Sequence, residues 1–116
     1  MTESKIIKLI KYHGAKNIAE IKELPFIKMS KDQIIFWNVK PSGDYIEDCQ
    51  LGREYGALAL KHMVQADFVP LLAWCISDMP RKKECSGIEV GFLEFFAEIA
   101  VSNFASNSNL LQKLSN

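Results

Sequence analysis

The side chains in this sequence best suited to gripping a small molecule fall within one stretch: Trp37, Tyr45, Asp48, Arg53 and Tyr55. Three aromatic rings can wall a pocket, and one carboxylate and one guanidinium can orient what enters it, a composition common in ligand sites. These five are the candidate ligand-binding residues. Asp44, Glu47 and Asp48 could also face a hard cation such as Mg²⁺ or Ca²⁺. Asp44 and Glu47 have a simpler role at a helix start, and no second acidic motif stands opposite them, so no metal site is assigned.

Other chemistry finds little material. The histidines are His13 and His62, and the cysteines are Cys49, Cys75 and Cys85. No Cys-x-x-Cys occurs, and the histidines are too few for a zinc site. His62 falls on an apolar strip, where a histidine serves packing more often than catalysis. Neither a Gly-x-Gly-x-x-Gly nor a phosphate-binding loop is present. No catalytic residue and no cofactor is assigned, and the sequence leans away from an enzyme.

The five candidate residues must be positioned by a turn and a helix. In Lys40-Pro41-Ser42-Gly43-Asp44, proline fixes φ and glycine admits positive φ, which marks a turn. Asp44 is a fitting N-cap, with Glu47 completing an Asp-x-x-Glu capping box. Asp44, Glu47 and Asp48 also place negative charge at the positive end of the helix dipole. The spacing predicts a helix from about Tyr45 to Ala66, roughly 33 Å long.

At 100° per residue this helix has three faces. Cys49, Gly52, Gly56, Ala59 and Met63 make a seam of mostly small residues. Leu51, Tyr55, Leu58 and His62 make a larger apolar strip. Glu47, Gln50, Glu54, Lys61 and Gln65 make the wet face. Two internal glycines cost about 1 kcal/mol each relative to alanine, so a second helix is expected to approach closely along Gly52 and Gly56. Asp48 breaks the pattern by projecting onto the apolar arc. It either serves the cap in the first turn or lines a pocket with Trp37, Tyr45 and Arg53.

Elsewhere the chain also reads as helical. Lysines alternate with Ile6, Ile7, Leu9 and Ile10 in a short amphipathic helix over residues 3–13 that Gly14 closes. A capping box at Asn17–Glu20 opens a second short helix that Pro25 ends. Ser30–Gln33 resembles a further box, while Ile34–Trp37 favours a strand. A strand over 34–39 has no visible partner within the chain, so a short helix or an extended segment packed on the core is expected. Asp67 is read as the cap of a helix running to Pro80, apolar on nearly every side and therefore buried. Ser86–Glu89 is a capping box opening the last long helix. Leu110, Leu111 and Leu114 form an apolar tail.

Composition sets outer bounds. A chain of 116 residues makes one domain, 1–116, able to bury a core. It is 48% hydrophobic and 24% charged, with no net charge. That balance gives no global attraction to nucleic acid or anionic lipid. The charge is unevenly placed, with eight lysines and four acids in residues 1–40 and six basic residues and ten acids in 41–116. An odd number of cysteines without metal spacing suits a reducing compartment. With neither a signal peptide nor an 18-residue apolar run, a cytoplasmic protein that avoids membranes is expected.

The expected fold is mainly α, a compact helical bundle of three long apolar helices with short N-terminal ones and room for a short strand near 34–39. Helices that apolar leave more surface than a monomer of this size hides, and exposed apolar surface marks interfaces. The expected function is therefore non-enzymatic: assembly as a homodimer through the last long helix and the tail, with room for another protein partner. One alternative is a small-ligand-binding protein or enzyme using the Trp37–Arg53 patch. Another is DNA binding through the basic N-terminus, which the scarcity of arginine disfavours.

Overall fold

A computed structural model describes residues 20–81, 84–107 and 112–113. The amphipathic segment 3–13, the box opening at Asn17 and the tail leucines lie outside the described residues. Within them the order is β1 (Lys28–Met29), β2 (Ile34–Ile35), α1 (Tyr45–Ala66), α2 (Leu71–Asp78) and α3 (Gly87–Ser106). The fold is mainly α, with one short antiparallel strand pair.

Helix α1 occupies the predicted span. Gly43 takes a φ of 95°, which a residue with a Cβ rarely adopts. Asp44 then accepts the backbone N–H of Glu47 at 3.1 Å. Helix α3 starts from Ser86, whose backbone N–H and hydroxyl both donate to the Glu89 carboxylate, at 3.3 and 2.7 Å.

The small-residue seam does what its composition implied. α1 and α3 lie side by side and parallel, because contacting residues rise together along both: Gly87 beside Tyr45 and Asp48, Gly91 beside Cys49, Gly52 beside Ile88 and Phe92, Gly56 beside Phe95. A β-carbon on Gly52 would strike the Ile88 carbonyl oxygen, and one on Gly91 the Cys49 carbonyl oxygen. Both helices supply glycine, so backbone meets backbone over this stretch. The loss of helix propensity is offset by packing at native density.

Three expectations need correction. Residues 30–33 do not cap a helix. They are a hairpin turn in which the Ser30 backbone N–H and hydroxyl donate to the Gln33 carbonyl, at 2.8 and 3.1 Å. Ile34–Ile35 is accordingly a strand with a partner inside the chain, pairing Met29 with Ile34 and Lys28 with Ile35.

Asp67 caps nothing downstream. It ends α1 in the left-handed conformation, φ 51° and ψ 51°, its N–H donating to the Met63 carbonyl. Asp tolerates this region better than most residues with a Cβ. α2 begins instead after Pro70, without a side-chain cap.

Nor are there three long apolar helices. α2 has only 8 residues, and it buries Leu71 and Cys75 one turn apart while Ile76 and the preceding Val69 stay exposed. One apolar stripe suffices for a helix lying on the core surface.

Aromatic residues fill the centre. Phe26, Phe36, Phe68 and Phe92 are fully buried with Ile21, Ile34, Leu71 and Ile88. Each such side chain contributes about 1.5–3 kcal/mol by leaving water. The Phe36 N–H donates to the Asp78 carboxylate at 2.8 Å, tying the segment after β2 to α2, and the Asn38 N–H donates to the Phe26 carbonyl at 2.7 Å, joining that segment to the turn before β1.

Candidate functional site

The five candidate residues divide between the two sides of α1. Trp37 and Tyr55 converge on Phe26, with ring centroids 5.8 and 5.2 Å from it. Trp37 is 5% exposed and stacks edge-on against Phe92 at 4.7 Å. Its indole Nε1 donates to Glu89 Oε2 at 3.0 Å. A ring so enclosed is part of the core.

Asp48 is buried, as its wheel position required, and is satisfied from an unexpected direction. Its carboxylate accepts the Ser42 backbone N–H at 3.0 Å and the Ser42 hydroxyl at 2.7 Å. These donors, the backbone one first, hold the Asp48 carboxyl below its usual range. Asp48 thus pins the Pro41–Gly43 turn onto α1, a role neither of the two sequence readings contained.

Arg53 reaches across to α3. It pairs with Glu98 through NH2, and its NH1 lies 3.8 Å from Glu94. Hydrogen bonding to Arg53 lowers the Glu98 carboxyl pKa. Tyr45 is exposed, and neighbouring Cys49 pushes its phenol up. None of the five lines any of five cavities among the described residues.

Sequence reading missed Glu89 as a partner of the candidate patch. It was visible only as half of a capping box, while its second partner, Trp37, stands 52 residues away. Asp48 and Glu89, each 4% exposed, open the two parallel helices. Both sit where the helix dipole favours negative charge. Beside Glu89 lies a cleft of about 250 Å³ lined by Val39, Pro41, Pro80, Glu84, Cys85, Ser86 and Glu89. Cys85 is an exposed free thiol at its edge. Among the described residues, no three His, Cys, Asp or Glu side chains come together as a metal site.

The far ends of the helices differ. His62 packs edge-on against Phe68 at 6.2 Å. Among the described residues its buried Nε2 has no hydrogen-bond partner, and burial pushes the imidazole below its ordinary value of 6.5. On α3, two shallow grooves meet at Val101, one of about 370 Å³ along Glu94, Ala97, Glu98, Val101 and Ser102, the other of about 420 Å³ along Ala100, Val101, Phe104 and Ala105. Val101 is 67% exposed. Among the described residues, no helix is long and apolar enough to cross a membrane.

Comparison of the chain with protein-family models, with curated proteins and with solved structures yields no match.

Proposed function

We propose that this chain acts through self-association, as a non-enzymatic cytoplasmic homodimer whose interface is the outer face of the C-terminal half of α3. The observation that carries this reading is the apolar surface around Val101, continued by Ala97, Ala100, Phe104 and Ala105 and only sparsely interrupted by polar side chains. A regular helix that shows apolar residues to water at this spacing is built to be covered. A twofold contact is the simplest way for one chain to cover it. Three free cysteines suit a reducing compartment.

Light scattering after size exclusion tests the reading. The wild-type chain should elute at twice the monomer mass. Val101→Asp should elute as a folded monomer, because it places a charge in the contact while changing a residue that is exposed in the single chain. A wild-type monomer at high micromolar concentration would end the proposal.

A second reading, small-ligand binding, is supported by the cleft beside Glu89. It shifts attention from Arg53, which α3 already engages, to Val39, Pro41 and Glu89.

A further inference from the structure

Residues 39–43 join the core to α1 through few contacts. Upstream of them Phe36 and Trp37 are buried, and the Asn38 N–H is fixed to the Phe26 carbonyl. Downstream, Asp44 caps α1. Between these anchors the chain has no regular secondary structure, and Lys40, Pro41, Ser42 and Gly43 are exposed. Val39 packs on the core and is partly buried. Among the described residues, the hydrogen bonds that tie this stretch to other elements all end on one carboxylate. Asp48 accepts the Ser42 backbone N–H at 3.0 Å and the Ser42 hydroxyl at 2.7 Å. The Asp44 N–H also donates to the Ser42 hydroxyl, at 3.1 Å, but that bond is local. A β-carbon on Gly43 would meet no atom within 4 Å, so glycine there serves the backbone bend and not a close approach.

The same stretch forms part of the cleft beside Glu89, where Val39 and Pro41 share the lining with Pro80, Ser86 and Glu89. We propose that residues 39–43 are a strap that gates this cleft, turning about Asn38 and Gly43, with the Ser42–Asp48 contact as its latch. A segment with few buried contacts and a single shared acceptor opens on its own, at less cost than unfolding the domain. Trp37 stays in place when the strap lifts, because its ring packs against Phe92 and its indole N–H is held by Glu89. Opening therefore withdraws Val39 and Pro41 from the cleft and leaves Glu89 and the glycine seam undisturbed. The latch is on α1, whereas Ser86 and Glu89 belong to the start of α3. Parallel packing sets these two helix starts side by side, with Gly87 next to Tyr45 and Asp48, so one short strap reaches both. The gate deepens the small-ligand reading above; its use rests on that reading, and its motion does not.

Amide hydrogen exchange and ¹⁵N relaxation dispersion on the full-length chain, with no ligand added, test the gate apart from the small-ligand reading. The Ser42 amide should exchange faster than those of Asn38, Gly52 and Gly91, and its rate should barely respond to low denaturant, the mark of a local opening that exposes little surface. Ser42 exchange that rises with denaturant as steeply as that of Gly52 and Gly91 would mean that the stretch opens only with the whole domain, and would overturn the strap. Dispersion at Val39, Lys40, Ser42 and Gly43 should share one rate with Ser86 and Glu89 across the cleft. Dispersion confined to residues 39–43 would show motion that leaves the cleft closed, and would overturn the gate. Asp48→Asn should raise the population of the open form at least about tenfold, the effect of weakening hydrogen bonds to a charged acceptor. Ser42→Ala changes an exposed residue and removes the hydroxyl donor alone, so it should raise the open population to a lesser extent in a chain that still folds. An open population unchanged in Ser42→Ala, or in a folded Asp48→Asn variant, would rule out the latch.

Discussion

Over its first turns α3 packs Gly87, Ile88, Gly91 and Phe92 against the backbone of α1, and all four are buried. Over its last turns the same helix presents Ala100, Val101 and Ala105 to water. The two regions are similarly apolar in composition, and the difference between them is side-chain size and register. Where glycines face one another, the helices close and exclude solvent. Past Gly56 and Phe95 the glycines stop, and the outer face has nothing in the described chain to cover it. Apolar content therefore does not decide burial in this molecule. Small residues aligned on two helices do.

The strongest way to break this contrast is at the seam. Gly52→Ala and Gly91→Ala each set a methyl group against a carbonyl oxygen of the facing helix. Overpacking of this kind costs about 1–3 kcal/mol, outweighing the gain of about 1 kcal/mol in helix propensity. Denaturant unfolding should show a net loss in both variants. A gain in either would mean that the helices are not in backbone contact.

Next in size is Trp37→Phe. The aromatic contacts with Phe26 and Phe92 largely survive, but the buried Glu89 carboxylate loses a donor. A loss of about 1–3 kcal/mol is expected, read as a lower denaturant midpoint at unchanged slope. No change would place Trp37 outside the core lock and revive it as a binding-site residue.

Two pH experiments sharpen the comparison between the ends of α1. Asp48, at the tight end, has a folded pKa below its ordinary 3.8. Its stabilisation is fully present above that value and is lost as pH falls through the folded one. Asp48→Asn should therefore lower Tm at neutral pH, and its deficit from wild type should narrow below pH 3.8. A constant deficit across the acid range would contradict the Ser42 contacts.

His62, at the looser end, also has a lowered folded pKa. The unfolded chain then binds more protons below pH 6.5, so stability falls as pH falls through that range. Replacing it by His62→Gln should flatten the slope of Tm between neutral pH and pH 5. This is the smallest of the effects, and an unchanged slope would assign the pH dependence to other groups.

Local signals explain which parts were legible in advance. Asp44 and Glu47 are three residues apart, as are Ser86 and Glu89, and each pair marked its helix start. Gly52 and Gly56 announced a close neighbour. The sequence reading failed where one local pattern serves two structures. Ser30-x-x-Gln33 can open a helix or turn a hairpin, and only the pairing of Ile34 with Met29 decides. Asp67 can cap the next helix or end the last, and aspartate suits both an N-cap and a left-handed helix end, so residue type alone does not choose. The site failed for a different reason. The partners of Trp37 and Arg53, namely Glu89, Glu94 and Glu98, lie on α3, and nothing within a few residues of either points there. Asp48 was flagged as anomalous by its position on the wheel, but its donor Ser42 lies upstream in the turn, where a helical projection does not look.

The central claim is that the exposed half of α3 is covered by a second copy. Sedimentation equilibrium of the wild-type chain across low to high micromolar concentration tests it most directly. The account predicts a concentration-dependent approach to twice the monomer mass, abolished by Val101→Asp with the thermal transition retained. A wild-type chain that stays at monomer mass throughout, or a Val101→Asp dimer indistinguishable from it, would contradict the account.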